Sequence, residues 1–228
     1  MEKNKMENDK VLDAFNKASQ NYDNYRKKAI PHMDIFYNTA TELTTNYQNP
    51  EVLDLGAGTG ILTEKIYQKH PNSNITLIDI SKQMLDKAQK KFTQNNFQFI
   101  EADYINYNYT QKYDVIVSSL SIHHLTDDEK KQLYKKVYDI LEEDGIFINA
   151  DQVQGSTPQT EQKFKDKDKT HLEKQDIPLE EKKTLQERRK LDQPATLDDT
   201  IKWYKEIGYK NVDVYYKYYR YYVIAGEK

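Results

Sequence analysis

Hydrophobic positions along this chain follow two rhythms. Short apolar runs stand at Val52-Leu53-Asp54-Leu55, Ile75-Thr76-Leu77-Ile78, Phe97-Gln98-Phe99-Ile100, Val115-Ile116-Val117 and Ile146-Phe147-Ile148. Between most of them, apolar residues recur every three or four positions, as in Ile61, Leu62, Ile66 and in Leu133, Val137, Ile140, Leu141. Near-continuous short runs are the mark of strands buried on both faces, and the three-to-four spacing that of amphipathic helices. Turn residues separate the two, notably His70-Pro71-Asn72-Ser73 and Asp144-Gly145. Ser81, Thr126 and Thr196 each stand where a helix would need an N-cap, and Gly208 where one would stop. This alternation predicts an α/β fold, a Rossmann-like, mostly parallel sheet with helices on both faces. Upstream, Val11, Leu12, Phe15 and Ala18 predict a short helix, and Pro31 opens another through Met33, Ile35, Phe36, Ala40 and Leu43. Downstream, Val212 to Tyr216 and Arg220 to Ala225 read as a terminal hairpin turning at Lys217-Tyr218-Tyr219.

The pattern changes between residues 151 and 195. Lys, Asp, Glu and Gln dominate there, with sparse apolar residues such as Phe164, Leu172, Ile177, Leu179 and Leu185. We therefore divide the chain into 1–50, an N-terminal helical segment; 51–150, the core sheet; 151–195, a helical insertion; and 196–228, a helix and hairpin completing the same domain.

Composition narrows the classes. The 228 residues carry a net charge of −3, so no global basic field draws the chain to nucleic acid. The absence of cysteine excludes disulfides, thiolate catalysis and thiolate-held metals. No apolar run approaches the ~20 residues of a membrane span. The expectation is a soluble cytoplasmic protein with no membrane partner. Nineteen tyrosines concentrate toward the C-terminal end, where they can line a pocket, face water or form a homodimer face.

The candidate chemistry lies at the predicted strand ends. The chain has seven glycines, and Gly56, Gly58 and Gly60 fall within five positions, between the first strand and its helix. Glycine is needed there for positive φ or for close approach of a ligand. The spacing is G-x-G-x-G rather than the dinucleotide G-x-G-x-x-G, and Asp54 precedes it. A carboxylate at that point repels a pyrophosphate and attracts an ammonium. Asp79 ends the second strand about 20 residues on, where an acid can accept ribose hydroxyls. Asp103 with Tyr104 follows the third strand, Ser119 stands near the end of the fourth, and Ser121-Ile122-His123-His124-Leu125 comes directly after it. Two of the five histidines thus reach the edge where ligands of open α/β sheets sit.

The stretch Asp54-Leu55-Gly56-Ala57-Gly58-Thr59-Gly60 closely resembles motif I of the class I S-adenosylmethionine (SAM)-dependent methyltransferases, and the resemblance extends over residues 9–228. It implies a seven-stranded sheet whose last strand is antiparallel, and SAM as cofactor with S-adenosylhomocysteine as product. In that family the positions of Ile80 and Met84 lie against adenine, Asp103 accepts from the adenine amino group and its neighbour Tyr104 lies along the ring. Met84 can equally be core, and Asp103 a loop residue. Phe15 and the Tyr22-Asp23-Asn24-Tyr25-Arg26 segment resemble an N-terminal lid over the cofactor, with ordinary packing on the sheet as the alternative. We assign Tyr22 and Arg26 to the cofactor with Asp54, Gly56, Gly58, Asp79 and Ser119, and Tyr25 to the substrate. His123 is the expected base, its neighbour packing. No metal is expected. A fainter resemblance, in Gln186-Glu187-Arg188-Arg189-Lys190-Leu191-Asp192, is to the bacterial carboxy-SAM synthases of tRNA modification, where an arginine pairs with the added carboxylate. Arg188 falls on that position. Because the Ala57 to Gly60 form and the histidine pair favour an ordinary methyltransferase, Arg188 is expected to hold a small, carboxylate-bearing acceptor. A non-catalytic SAM-binding module is the third reading.

Overall fold

The computed structural model describes residues 22–228. The helix expected over Val11 to Ala18 lies outside the described residues, and so does the side chain of Tyr22. The first described helix is α1 (Tyr22–Ala29), followed by α2 (Met33–Glu42), β1 (Glu51–Leu55), α3 (Ile61–Lys69), β2 (Asn74–Asp79), α4 (Lys82–Lys91), β3 (Phe97–Glu101) and β4 (Tyr113–Ser119). A 3₁₀ turn (Ile122–His124) leads to α5 (Asp127–Ile140) and β5 (Leu141–Gln152). The chain ends with α6 (Pro158–Glu173), α7 (Leu179–Arg189), α8 (Leu197–Ile207), β6 (Lys210–Tyr218) and β7 (Tyr221–Glu227).

The strands form one seven-stranded sheet in the order β3-β2-β1-β4-β5-β7-β6. β1 to β5 are parallel, and β7 inserts antiparallel between β5 and β6. The expected fold class is thus the observed one, down to the antiparallel C-terminal strand. Strand periodicity sorts the core into two layers. Val115, Val117, Ile146 and Ile148 point toward Phe36, Leu62, Ile66 and Leu85 on one face. Ile116 and Phe147 point toward Leu133, Val137, Trp203 and Tyr204 on the other. Each such side chain taken from water contributes roughly 1.5–3 kcal/mol, which ranks these layers above any surface ion pair.

Helix ends follow the local chemistry. Thr126 and Glu129 form a reciprocal capping box on α5, Ser81 accepts from the Met84 amide, and Thr196 accepts from the Asp199 amide. Gly208 closes α8 with φ 115°. Three boundaries differ from expectation. α2 opens at Met33 rather than Pro31, with His32 as a left-handed N-cap at φ 53°. Strand β5 starts at Leu141, before Asp144-Gly145: Leu141 pairs with Tyr113 and Ile146 with Val115, and residues 142–145 bulge out of the register between them, with Asp144 at φ 63°. The hairpin turns at Tyr219-Arg220, with Tyr219 at φ 52°.

The insertion after β5 holds α6 and α7. Its apolar residues are too few for a core of their own. Leu172 and Ile177 are buried with Ala29 of α1, and Leu185 and Tyr25 pack beside them, while Leu179 is 67% exposed. This satellite cluster fastens α1 to the insertion, and Lys28 and His171 add hydrogen bonds across the same contact.

Candidate active site

The carboxyl ends of β1 to β4 meet at one edge, where the strand order reverses between β1 and β4. Such switch points are where open α/β sheets bind ligands. The glycine turn folds back over the end of β2: the amides of Gly56 and Ala57 both donate to the Ile78 carbonyl, at 2.8 and 3.2 Å. Gly56 sits at φ +66°, and a Cβ there would lie 2.0 Å from Ser121 Oγ. The turn can therefore approach the β4 segment only as glycine. Asp79 is pinned in place, one oxygen accepting from the Gly58 amide at 2.8 Å and the other from the Ser81 amide at 2.8 Å. Asp103 accepts from the Ile105 amide at 2.9 Å and the Asn106 side chain at 2.6 Å. Burial raises the Asp79 carboxyl above its ordinary range, against the two amide bonds.

These segments enclose a first cavity of about 870 Å³. Gly56, Gly58, Asp79, Ile80, Met84, Asp103, Tyr104 and Ser119 all line it, and Arg26 of α1 closes it from above. Carboxylates, hydroxyls, apolar side chains, the His124 imidazole and open backbone make up this lining, with Arg26 as its one lysine or arginine among the described residues. That set fits a ligand with hydroxyls, an ammonium and a flat ring, and no phosphate.

Asp54 departs from expectation. It does not line the cavity: its side chain is 1% exposed beneath the glycine turn, accepting from the Thr63 hydroxyl at 2.5 Å. Burial, with Asp79 adding to it, raises its carboxyl to about 7. It braces the turn from below instead of meeting a ligand.

A second cavity of about 810 Å³ adjoins the first. Tyr25, His123, Arg188, Arg189 and Asp192 stand in its wall, and Arg26, Leu120 and His124 belong to both cavities. Leu120 holds φ 49°, a rare conformation for a non-glycine residue, and it swings the chain after β4 back across the seam. Such strain persists only where the surroundings over-determine it. Here the Leu120 amide is tied to the Ala150 carbonyl at 2.9 Å.

The histidine pair also differs from expectation. His123 is 5% exposed and gripped from both ring nitrogens, Nδ1 by Asp151 at 2.5 Å and Nε2 by Asp192 at 3.4 Å. Burial works against its charged form, but the two carboxylates outweigh that and raise it to about 9. Both ring nitrogens are thus engaged by carboxylates, where the expected base would need one open to a substrate. His124 sits at the seam of the cavities, with Nδ1 3.3 Å from Asp192. Burial, then the neighbouring His123, lowers it to about 4, so it is neutral there. Asp192 lies below the ordinary carboxylate range, because the two histidines overcome its burial. His123, His124 and Asp192 each bring a donor atom within 4.8 Å of the others.

Asp151 and the seam position of His124 were not singled out by the sequence. Asp151 follows the fifth strand run and could have been flagged by the strand-end rule. Asp192 was legible only as the acid that ends the Gln186 to Asp192 stretch, with no signal that it meets the histidines.

Comparison with known proteins finds a methyltransferase domain at this edge of the sheet. Residues 52–145 match the family described as "Methyltransferase domain". The chain thus carries a methyltransferase domain. It is 32% identical over 140 residues to a malonyl-[acyl-carrier protein] O-methyltransferase of Ilyobacter polytropus, covering 60% of this chain and 49% of that one. A carboxy-S-adenosyl-L-methionine synthase of Nautilia profundicola is 24% identical over 207 residues, 86% of each chain. An O-methyltransferase family protein of Burkholderia thailandensis superposes with a TM-score of 0.66 at 14% identity, covering 86% of this chain and 55% of that one. The chain spans about half the length of the first curated relatives it matches. The methyltransferase fold therefore sets the sheet and its glycine turn, and the family's cofactor is SAM. No helix among the described residues is long and apolar enough to cross a membrane.

Proposed function

We propose that the chain transfers a methyl group from SAM in the first cavity to a small acceptor in the second. The observation that carries this is the shared wall: Arg26, Leu120 and His124 face both cavities, so a donor and an acceptor can meet across it. SAM would supply a methyl group already activated on a sulfonium. The residues of the chain align the partners and exclude water. Asp79 has lone pairs left for ribose hydroxyls, and Ile80, Met84 and Tyr104 offer an apolar slot for a ring. Arg188, Arg189 and Tyr25 give the second cavity a cationic, aromatic lining that suits a carboxylate-bearing acceptor.

Calorimetry tests the cofactor half. Replacing Asp79 with Ala removes a charged acceptor, each such hydrogen bond being worth about 1.5–3 kcal/mol. The expected result is a SAM affinity at least tenfold weaker; unchanged affinity would sink the assignment. A screen of candidate metabolites with methyl-labelled SAM then finds the acceptor.

One observation favours a second reading, that the ligand is carboxy-SAM. The relationship to the Nautilia synthase runs along most of both chains, and Arg188 stands at the second cavity. The mass of the ligand released from purified protein separates the two. The expected species is SAM or its demethylated product; one heavier than SAM by a carboxylate, lost in Arg188→Ala, would replace the first reading by the second.

A further inference from the structure

We infer that His123, His124 and Asp192 bind one divalent cation of the zinc type, with its open position facing the second cavity. The donors are the right kind: two imidazole nitrogens and one carboxylate oxygen, the set of open, three-protein-ligand zinc sites. Two of their three spacings match such a site, and the third is within 4.8 Å. Asp192 Oδ1 lies 3.4 Å from His123 Nε2 and 3.3 Å from His124 Nδ1. Bonds of about 2.0–2.1 Å in a tetrahedron set neighbouring donors about 3.3 Å apart.

The surroundings are built as a metal site is built. A ligating histidine usually donates its other ring N–H to a carboxylate, which fixes the tautomer and aims the free nitrogen. Asp151 stands in that position, 2.5 Å from His123 Nδ1, and also accepts from the His123 amide at 3.0 Å. Asp192 has its own support: the Gln152 side chain donates to its other oxygen at 2.7 Å, leaving Oδ1 free to ligate. The segment bearing Asp192 is tied to the histidines through backbone. The Gln193 amide donates to the His123 carbonyl at 2.7 Å, and Lys130 holds the Gln193 carbonyl at 2.5 Å. All three ligands line the second cavity, so a fourth position opens to whatever occupies it.

Binding of the cation does not depend on the methyl-transfer reading. The role we give it does: to hold and polarise an oxygen of the acceptor at the seam, beside the donor methyl.

The test uses the full chain, treated with a chelator and titrated with zinc chloride against a chromophoric competitor. One tight equivalent is expected, and Co²⁺ in its place should show the intense visible absorption of a tetrahedral site. His124→Ala should weaken the tight equivalent at least 100-fold. Asp151→Asn, which removes only the support of His123, should weaken it about 10- to 100-fold. Circular dichroism and thermal melting of each variant verify folding, and His124→Gln substitutes for His124→Ala should that variant fail them. Protein that binds SAM yet holds no tight zinc overturns the site and leaves the methyl-transfer reading standing. A tight equivalent that survives in His124→Ala places the cation elsewhere and overturns it too. Tight zinc lost with His124 in a chain that does not bind SAM supports the site and sinks the methyl-transfer reading.

Discussion

The two cavities share a wall but are made differently. The first is lined mainly by short segments that each follow a parallel strand, around Gly56, Asp79, Asp103 and Ser119. Its geometry is mostly backbone: positive φ at three glycines, amides turned onto the Asp79 carboxylate, a carbonyl shared by two amides. The second is assembled from α1, the turn after β4, the end of β5, α7 and β7. Its geometry is tertiary, resting on the small cluster of Ala29, Leu172 and Ile177. A cofactor site built from local turns is insensitive to what is inserted elsewhere. An acceptor site built from distant elements changes whenever the insertion does. That difference suits one donor chemistry serving many acceptors on one fold.

The largest expected effect tests whether the first cavity's frame depends on its buried brace. Asp54 lies under the glycine turn with its carboxyl raised to about 7 from an ordinary 3.8. A raised folded-state value means the protonated form stabilises the fold. That stability is fully present below the unfolded value and is lost as pH rises through about 7. Burial is the main cause; Asp79 adds to it, and the Thr63 bond and Arg26 oppose it. At 1.36 kcal/mol per unit the swing between pH 4 and pH 8 is on the order of 4 kcal/mol. Asp54→Asn, which keeps an acceptor for Thr63, should flatten that part of the stability curve. Urea melts across this range that keep the wild-type slope in the variant would show that the brace titrates elsewhere.

The contrast between the cavities also explains what the sequence made legible. The strands, the glycine turn and the acids at 79 and 103 were readable because each is announced within a few residues of itself. Asp54 was readable as an acid before the glycines but not as a buried one, since only the fold shows that the chain turns above it. His123 and His124 were placed at the right strand end. Which ring faces the seam depends on Leu120 taking a left-handed conformation, and nothing in the residue type signals that. Asp192 stands in the sequence as the acid that ends the Gln186 to Asp192 stretch, with nothing to tie it to the histidines. It gains meaning only when Gln193 docks on the His123 carbonyl.

A paired substitution sharpens the claim that backbone makes the first cavity. Gly56 and Gly58 both hold positive φ, +66° and +57°. A left-handed alanine costs roughly 1–2 kcal/mol at either position. Only at Gly56 would the added carbon also meet an obstacle, Ser121 Cβ at 2.5 Å, whereas nothing lies within 4 Å at Gly58. Overpacking of that kind costs a further 1–3 kcal/mol, roughly. Gly56→Ala should therefore destabilise more than Gly58→Ala by about that margin, measured by thermal or urea melts. Equal losses would mean that the β4 segment yields freely, and that the cavity is softer than its hydrogen bonds suggest.

The smallest effect lies where the two cavities meet, in α1. Arg26 faces both, and Tyr25 the second. The helix is held at one end by Asp23, which accepts from Thr59 of the glycine turn at 2.7 Å and pairs with Lys91 at 2.6 Å. At the other end it rests on the insertion through Lys28 and Ala29. Few of its residues are buried, so its backbone should open more easily than the sheet does. A cofactor beneath Arg26 would add contacts on one side and leave the insertion contact as it is. Hydrogen exchange over residues 22–29 should therefore slow when SAM or its demethylated product is added, by a few-fold, while α6 and α7 change less. Equal exchange with and without ligand would make α1 a fixed packing element of the second cavity rather than a lid on the first.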